Sequence, residues 1–305
     1  MEKTKIYIPL TVPKNKIGEY LRNYYIGTKG TGRLYMFACD QKVEHLNDDF
    51  VVKGVTAETA DPEHFFKIAS QSHVGALATQ LGLIAQYARD YRNVPYIIKL
   101  NSKTNILTTH EKDPYANLWH SMDEVMDFKR SSGLNIIGVG YTIYIGSWYE
   151  SDMFRQAAHI VYRAHKEGLI TVLWMYPRGH AVKNEKDPHV IAGGAGIACT
   201  LGADFVKLNY PKLDGKKSSE LLKESVRAAG RTGVVCVGGS KKPPREFLQD
   251  VYDQIHISGS RGAAIGRNIF QRPLEEAIRM SSAVSAVIYH DVPVQRAYKI
   301  FISGD

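Results

Sequence analysis

Eight short apolar segments, with helix-patterned stretches between them, predict an α/β fold. It is a single closed (β/α)8 barrel, or TIM barrel, with a short N-terminal leader and a C-terminal tail. Length agrees: 305 residues suit one barrel of about 250 residues with additions at its ends. No GxGxxG follows the first apolar segment, which disfavours the open doubly wound sheet, the alternative with the same alternation.

The eight segments are RLYMFACD (33–40), HVGALATQ (73–80), PYIIKLN (95–101), NIIGVGYTIYIG (135–146), LITVLWMY (169–176), ADFVKLNY (203–210), GVVCVGG (233–239) and RGAAIGRN (261–268). Their apolar character is nearly continuous rather than alternating, as expected for parallel strands covered by outer helices. Between them the helix signals recur. Asp61-Pro62 opens DPEHFFKIAS, with aspartate as N-cap and proline at the first helical position. Ser121 and Glu124 have capping-box spacing ahead of VMDFKR. Ser151 precedes DMFRQAAHIVYRAHKEG, whose Phe154, Ala158, Val161 and Ala164 share a face, and Gly168 is the stop. Asp187-Pro188 opens PHVIAGGAGIACTLG; SSELLKESVRAAG and PPREFLQDVYDQIH follow, and Pro273 starts the last helix, PLEEAIRMSSAVSAVIYH. Residues 1–30 read as a leader packing outside the barrel, residues 31–305 as the barrel domain, and the segment after Val292 as a short tail.

Lys and Arg outnumber Asp and Glu by 39 to 31, a net charge of +8. Such an excess attracts nucleic acid, membrane surfaces or anionic substrates. The basic residues are spread along the chain without a block, which fits a solvated surface better than a nucleic-acid site. A basic barrel that binds nucleic acid or protein partners, using Lys241, Lys242, Arg245 and Arg267, is the reading from outside enzymology. Cys39, Cys199 and Cys236 each sit in an apolar segment without CxxC spacing, which fits a reducing compartment. The N-terminus lacks signal- and transit-peptide character, and the apolar runs stop short of a membrane span. The expectation is a soluble cytoplasmic protein with no membrane partner.

In such barrels chemistry gathers at the carboxyl ends of the strands. There the sequence places Asp40, Lys99, Asn101, Trp174, Tyr176, Lys207, Asn209, the run Gly238, Gly239, Ser240 and Lys241, and the pair Gly266 and Arg267. Lys207 interrupts an apolar strand. Taken out of water, a lysine loses preference for its charged form, and the neutral amine forms Schiff bases with carbonyls. On position alone it reads equally as an ammonium beyond the strand end, in solvent. Tyr176 sits where Pro177 ends its segment and suits proton transfer to a substrate hydroxyl, or simple packing. Trp174 shares its face two residues back, as pocket wall and core filler together. Asp40 reads as a proton shuttle beside the lysine or as a cap for the following turn. In that turn Lys42, Glu44 and His45 follow, and His45 joins Lys99 among the groups placed near a substrate. GGSKK and IGRN end the seventh and eighth segments. Glycines admit an anion to the backbone, Lys241 and Arg267 add charge, and a phosphate site at these two loops recurs in this architecture. HExxH, GxSxG and P-loop patterns are absent from the sequence, so no metal or other cofactor is expected.

ACDQKVEH, LWMYPRG, GADFVKLNY, GGSK and AIGRNIFQR, in this order, resemble the archaeal-type class I fructose-bisphosphate aldolases. These are grouped with the deoxyribose-phosphate-aldolase-like barrels. The likeness runs from about residue 33 to 285. It implies that Lys207 is the Schiff-base residue, Tyr176 the acid/base, Trp174 its companion, and Asp40 the aspartate closing the first strand. It also implies that Gly238, Gly239, Gly266 and Arg267 hold a substrate phosphate, with Arg178 reaching another. The implied activity is metal-free interconversion of fructose 1,6-bisphosphate with dihydroxyacetone phosphate and glyceraldehyde 3-phosphate. The implied assembly is a homo-oligomer, often a decamer, with the Tyr-rich LRNYYIG as an interface candidate. Two departures stand out. Lys42 and Leu46 replace glycines of the DQGVEHG motif, and GGSKK replaces GGPK. Cousins with the same lysine and tyrosine carry out transaldolase-like heptulosonate synthesis or thiolysis of a phosphorylated dione.

Overall fold

The computed structural model describes residues 6–45, 47–51, 55–105, 113–237 and 239–304. Its first α-helix, α1 (Ile17–Thr28), ends where Lys29 and Gly30 both adopt positive φ. The chain then alternates. Strand β1 (Leu34–Ala38) leads into one turn of helix, α2 (Gln41–Glu44), and on to α3 (Glu63–Ser70), whose first turn is tied by Asp61 Oδ1 accepting the Glu63 N–H. Strand β2 (Ala76–Gln80), α4 (Leu81–Tyr87) and β3 (Tyr96–Lys99) follow. Helix α5 (Met122–Ser132) begins with the reciprocal Ser121–Glu124 capping box and stops at left-handed Gly133. Strand β4 (Ile136–Ile145), α6 (Glu150–Lys166), β5 (Ile170–Pro177) and α7 (Pro188–Thr200) come next, the last capped by Asp187. Then come β6 (Phe205–Leu208), α8 (Ser218–Ala229), β7 (Gly233–Val237), α9 (Pro244–His256), β8 (Gly262–Ile265), α10 (Arg267–Phe270) and α11 (Leu274–His290).

All eight apolar segments are strands, paired parallel in chain order and closed by β8 against β1. Two corrections concern helices. Helix α6 begins at Glu150, ahead of Ser151, which does not cap it. The segment after Val292 is a helix, α12 (Val294–Ser303), packed on α11 and α9. Pro293 starts it as Pro273 starts α11.

Two apolar layers follow from this closure. Leu34, Met36, Ile97, Ile137, Val172, Trp174, Phe205 and Val235 fill the barrel interior. The opposite strand faces pack against the surrounding helices. The leader takes part in the inner layer: Tyr20 and Tyr24 of α1 are buried, and Tyr24 stacks on Phe205 with ring centroids 5.5 Å apart. Helix α1 therefore covers the amino end of the barrel. Gly75 lets it come that close, since a Cβ there would lie 2.0 Å from the Gly27 carbonyl oxygen.

Candidate active site

At the carboxyl ends of the strands a pocket of about 140 Å3 opens between Asp40, Tyr144, Tyr176, Lys207, Gly239 and Arg267. Trp174, expected as a wall, does not line it; its ring lies under the Lys207 amine. This ring is fully buried, and Gly140 on the neighbouring strand makes its room, since a Cβ there would sit 2.3 Å from the ring. Both Lys99 and Lys207 place their ammonium nitrogens over this indole, 4.9 and 5.1 Å from its centroid.

Lys207 lies on β6 opposite Trp174 and Val235, with 2% of its surface exposed. It is inside the barrel mouth, not in solvent. Its Nζ stands 3.9 Å from Asp40 Oδ1. Asp40 makes no cap bond to the helix it precedes; its carboxylate turns inward, and Oδ2 accepts from Lys99 Nζ at 3.3 Å. Lys99 also donates to Glu44 Oε1 at 3.1 Å, which accepts from Ser102 Oγ at 2.8 Å. Two ammonium groups and two carboxylates thus share a dry site, and Lys99 holds the shorter contacts to both carboxylates.

The charge states follow. Burial pushes the Lys207 amine below the ordinary lysine range; Asp40 and Glu44 oppose this, and neighbouring Lys99 reinforces it. Burial would also lower Lys99, but Glu44 and Asp40 outweigh it and hold that amine charged. Burial would raise Asp40, but Lys207 and Lys99 together keep its carboxyl below the usual range. The Tyr176 phenol is pushed well up, first by burial and then by Asp40 and Glu44. Three buried polar atoms here have no hydrogen-bond partner among the described residues: Asp40 Oδ1, Gln41 Oε1 and Trp174 Nε1. Buried polar atoms are rarely left so, and the first of them stands 3.9 Å from the Lys207 amine.

Other expected site residues distribute unevenly. Tyr176, Arg178, His45, Gly239, Gly266 and Arg267 line the pocket. Arg178 is held bidentate by Glu185 at 2.9 and 3.0 Å, and its guanidinium lies 5.8 Å from the Tyr144 ring. His45 pairs with Asp49, and Arg267 Nη1 stands 3.6 Å from the same residue. Lys99 lies beneath the pocket and is fully buried, so it meets the carboxylates rather than an incoming phosphate. Ser240 is exposed, and Lys241 donates to the Gln271 carbonyl at 2.7 Å; neither side chain lines the pocket. Gly238 and Leu46 lie outside the described residues. Lys42, in a glycine's place, turns away to the Ala60 carbonyl and over the Phe50 ring. Lys242, part of the expected basic surface, is paired with Glu246 and Asp250.

Glu44 and Tyr144 were not assigned roles from sequence. Glu44 lies four residues after Asp40, a helical spacing that puts both on one side of α2. Tyr144 is masked by the unbroken apolar run of β4, although its register neighbour is Tyr176. Among the described residues no cluster of three or more His, Cys, Asp or Glu could hold a metal ion, and no helix is long and apolar enough to cross a membrane.

Residues 34–272 match the family described as DeoC/LacD family aldolase. The chain belongs to this family. It is 52% identical over 301 residues to a Methanocaldococcus jannaschii protein named fructose-bisphosphate aldolase/6-deoxy-5-ketofructose 1-phosphate synthase, covering 99% of this chain and 96% of that one. A Halobacterium salinarum protein named fructose-bisphosphate aldolase class 1 is 35% identical, over 87% of this chain and 94% of the relative. Among solved structures, a fructose-bisphosphate aldolase from Slackia heliotrinireducens superposes with a TM-score of 0.96 at 50% identity, covering 100% and 96% of the two chains. An archaeal fructose-1,6-bisphosphate aldolase, described with its catalytic lysine covalently bound to a carbinolamine, matches with a TM-score of 0.75 at 31% identity, covering 88% and 99%. As a DeoC/LacD aldolase the chain is a lyase.

Proposed function

We propose that this aldolase is a Schiff-base enzyme that interconverts fructose 1,6-bisphosphate with dihydroxyacetone phosphate and glyceraldehyde 3-phosphate, Lys207 being the nucleophile. The observation that carries the reading is the contrast between the two buried lysines. Lys99 has two carboxylate partners at 3.1 and 3.3 Å, whereas Lys207 has one carboxylate oxygen at 3.9 Å.

The neutral Lys207 amine adds to the C2 ketone of the open-chain sugar and gives a carbinolamine. Asp40, whose Oδ1 has no other partner among the described residues, carries the protons as water leaves and the iminium forms. The iminium restores the charge that the neutral amine had removed from the site, so two cations again face two carboxylates. When C3–C4 breaks, its electron pair moves toward the iminium and leaves an enamine. Tyr176 is a phenol at neutral pH, because burial and the carboxylates raise it. In condensation it gives its proton to the aldehyde oxygen. Cleavage needs the phenolate: with the iminium charge beside it, Tyr176 passes its own proton to the Asp40 carboxylate and then takes the C4 hydroxyl proton. Gly239, Gly266 and Arg267 line the pocket and hold the C1 phosphate, which fixes C2 over Lys207 and makes the attack effectively intramolecular. No metal is required, since the iminium is the electron sink.

A second product is supported by the name of the Methanocaldococcus relative. A 6-deoxy-5-ketofructose 1-phosphate, disconnected at C3–C4, gives the same dihydroxyacetone phosphate half and a three-carbon 2-oxoaldehyde. Only the acceptor changes, so Lys207 and Tyr176 keep their roles. Supplying dihydroxyacetone phosphate with glyceraldehyde 3-phosphate or with methylglyoxal, and separating the ketose phosphates formed, measures both. The reading expects the bisphosphate from the first pair; product from methylglyoxal alone restricts the enzyme to the deoxyketose reaction, and product from neither refutes the reading.

A further inference from the structure

At the opposite end of the barrel the leader does not fit flush. A cavity of about 290 Å3 lies between residues 7–9, α1 and the strand entries at Asp204, Thr232 and Arg261. That volume is near the lower bound of about 300 Å3 for small-molecule sites. Two guanidinium groups face it. Arg231 lies over the Tyr7 ring, 4.2 Å from the centroid, and Arg261 borders the cavity with buried Tyr24. Among the described residues neither arginine is ion-paired with a carboxylate.

The one carboxylate on the wall, Asp204, is already committed. Its Oδ1 accepts from the Tyr20 hydroxyl. Its Oδ2 accepts from the Thr171 N–H at 2.7 Å and the Thr171 hydroxyl at 2.9 Å, with His165 Nε2 at 3.1 Å. So supplied with donors, Asp204 makes no ion pair with either arginine among the described residues. A guanidinium fork suits a phosphate or carboxylate group, and the tyrosine rings supply an apolar wall.

We propose that this cavity is a binding site for a small organic anion, with Arg231 and Arg261 on the phosphate or carboxylate group and Tyr7 and Tyr24 against its apolar body. The site is separate from the barrel mouth, because Asp40, Lys207 and Arg267 line the other pocket. It is independent of the reaction assigned above.

Phenyl phosphate and benzoate test it, with phenol as the neutral control. Each is titrated calorimetrically at constant ionic strength into the wild-type enzyme, Arg231→Gln, Arg261→Gln and Arg267→Gln. At least one anion should bind saturably, phenol should not, and the better anion identifies the group preferred. Affinity of one saturable phase should fall about tenfold in Arg231→Gln and in Arg261→Gln, the loss of one charge-assisted contact, and that phase should persist in Arg267→Gln, which removes only anion binding at the barrel mouth. Absence of saturation, equal binding of phenol, or a loss confined to Arg267→Gln overturns the proposal. Should Arg261→Gln fail to fold, Arg231→Gln decides alone, because that side chain is exposed.

Discussion

Two buried lysine amines lie over one indole ring, and carboxylate contacts separate them. Lys99 is bonded to both Asp40 and Glu44; Lys207 is near Asp40 alone. Lys99 charge lowers the Lys207 pKa and the carboxylates raise it. Lys99→Met should therefore leave Lys207 facing two anions and more firmly protonated. The reactive amine exists above its own pKa, so the acid limb of Schiff-base formation should move to higher pH, by about one unit. Adding Glu44→Gln removes one carboxylate and should bring the limb back. A limb unmoved in Lys99→Met would show that Lys99 does not set the charge of Lys207. Tyr176→Phe should still form the Schiff base while cleaving C3–C4 about two to four orders of magnitude more slowly; single-turnover trapping and steady-state cleavage measure the two separately. Lys207, Asp40 and Tyr176 were legible because each is a polar residue at the end of an apolar strand. The Lys99–Glu44 pair was not, because it joins β3 to α2 across 55 residues, and no local pattern records such a contact.

Among the elements, the strands were legible for a definite reason. Parallel strands covered on both faces are apolar throughout, so β1 to β8 stand out as uninterrupted runs. Boundaries were less so: α6 starts at Glu150, two residues before the expected Asp152, with Tyr149 at its N-cap and no side-chain cap bond. The role of α1 was hidden too, since its contacts with β1, β4 and β5 leave no trace in its own sequence. Glycines within the elements give a sharp test. Gly140→Ala would drive a Cβ to within 2.3 Å of Trp174, whose ring lies under both lysine amines. It should destabilise by about 1–3 kcal/mol and lower activity as the indole moves. Gly193→Ala, within α7 and with no atom within 4 Å of the added Cβ, should be neutral or stabilising by up to about 1 kcal/mol. Thermal unfolding of the two variants compares them; equal destabilisation would mean that the crowding of Trp174 by Gly140 is unimportant.

Over the whole molecule, closure of the sheet is what makes a reactive lysine possible. It brings Asp40 from β1's end, Lys99 from β3, Trp174 and Tyr176 from β5 and Lys207 from β6 into one desolvated mouth, while α1 covers the other end. An open sheet would leave the same residues wet, and an ammonium in water stays protonated. The direct measurement is borohydride reduction of the enzyme with dihydroxyacetone phosphate, followed by mass mapping of its peptides. The account predicts one added triose phosphate on the peptide containing Lys207, and no addition in Lys207→Met. Label on the Lys99 peptide instead, or none on either, would contradict it.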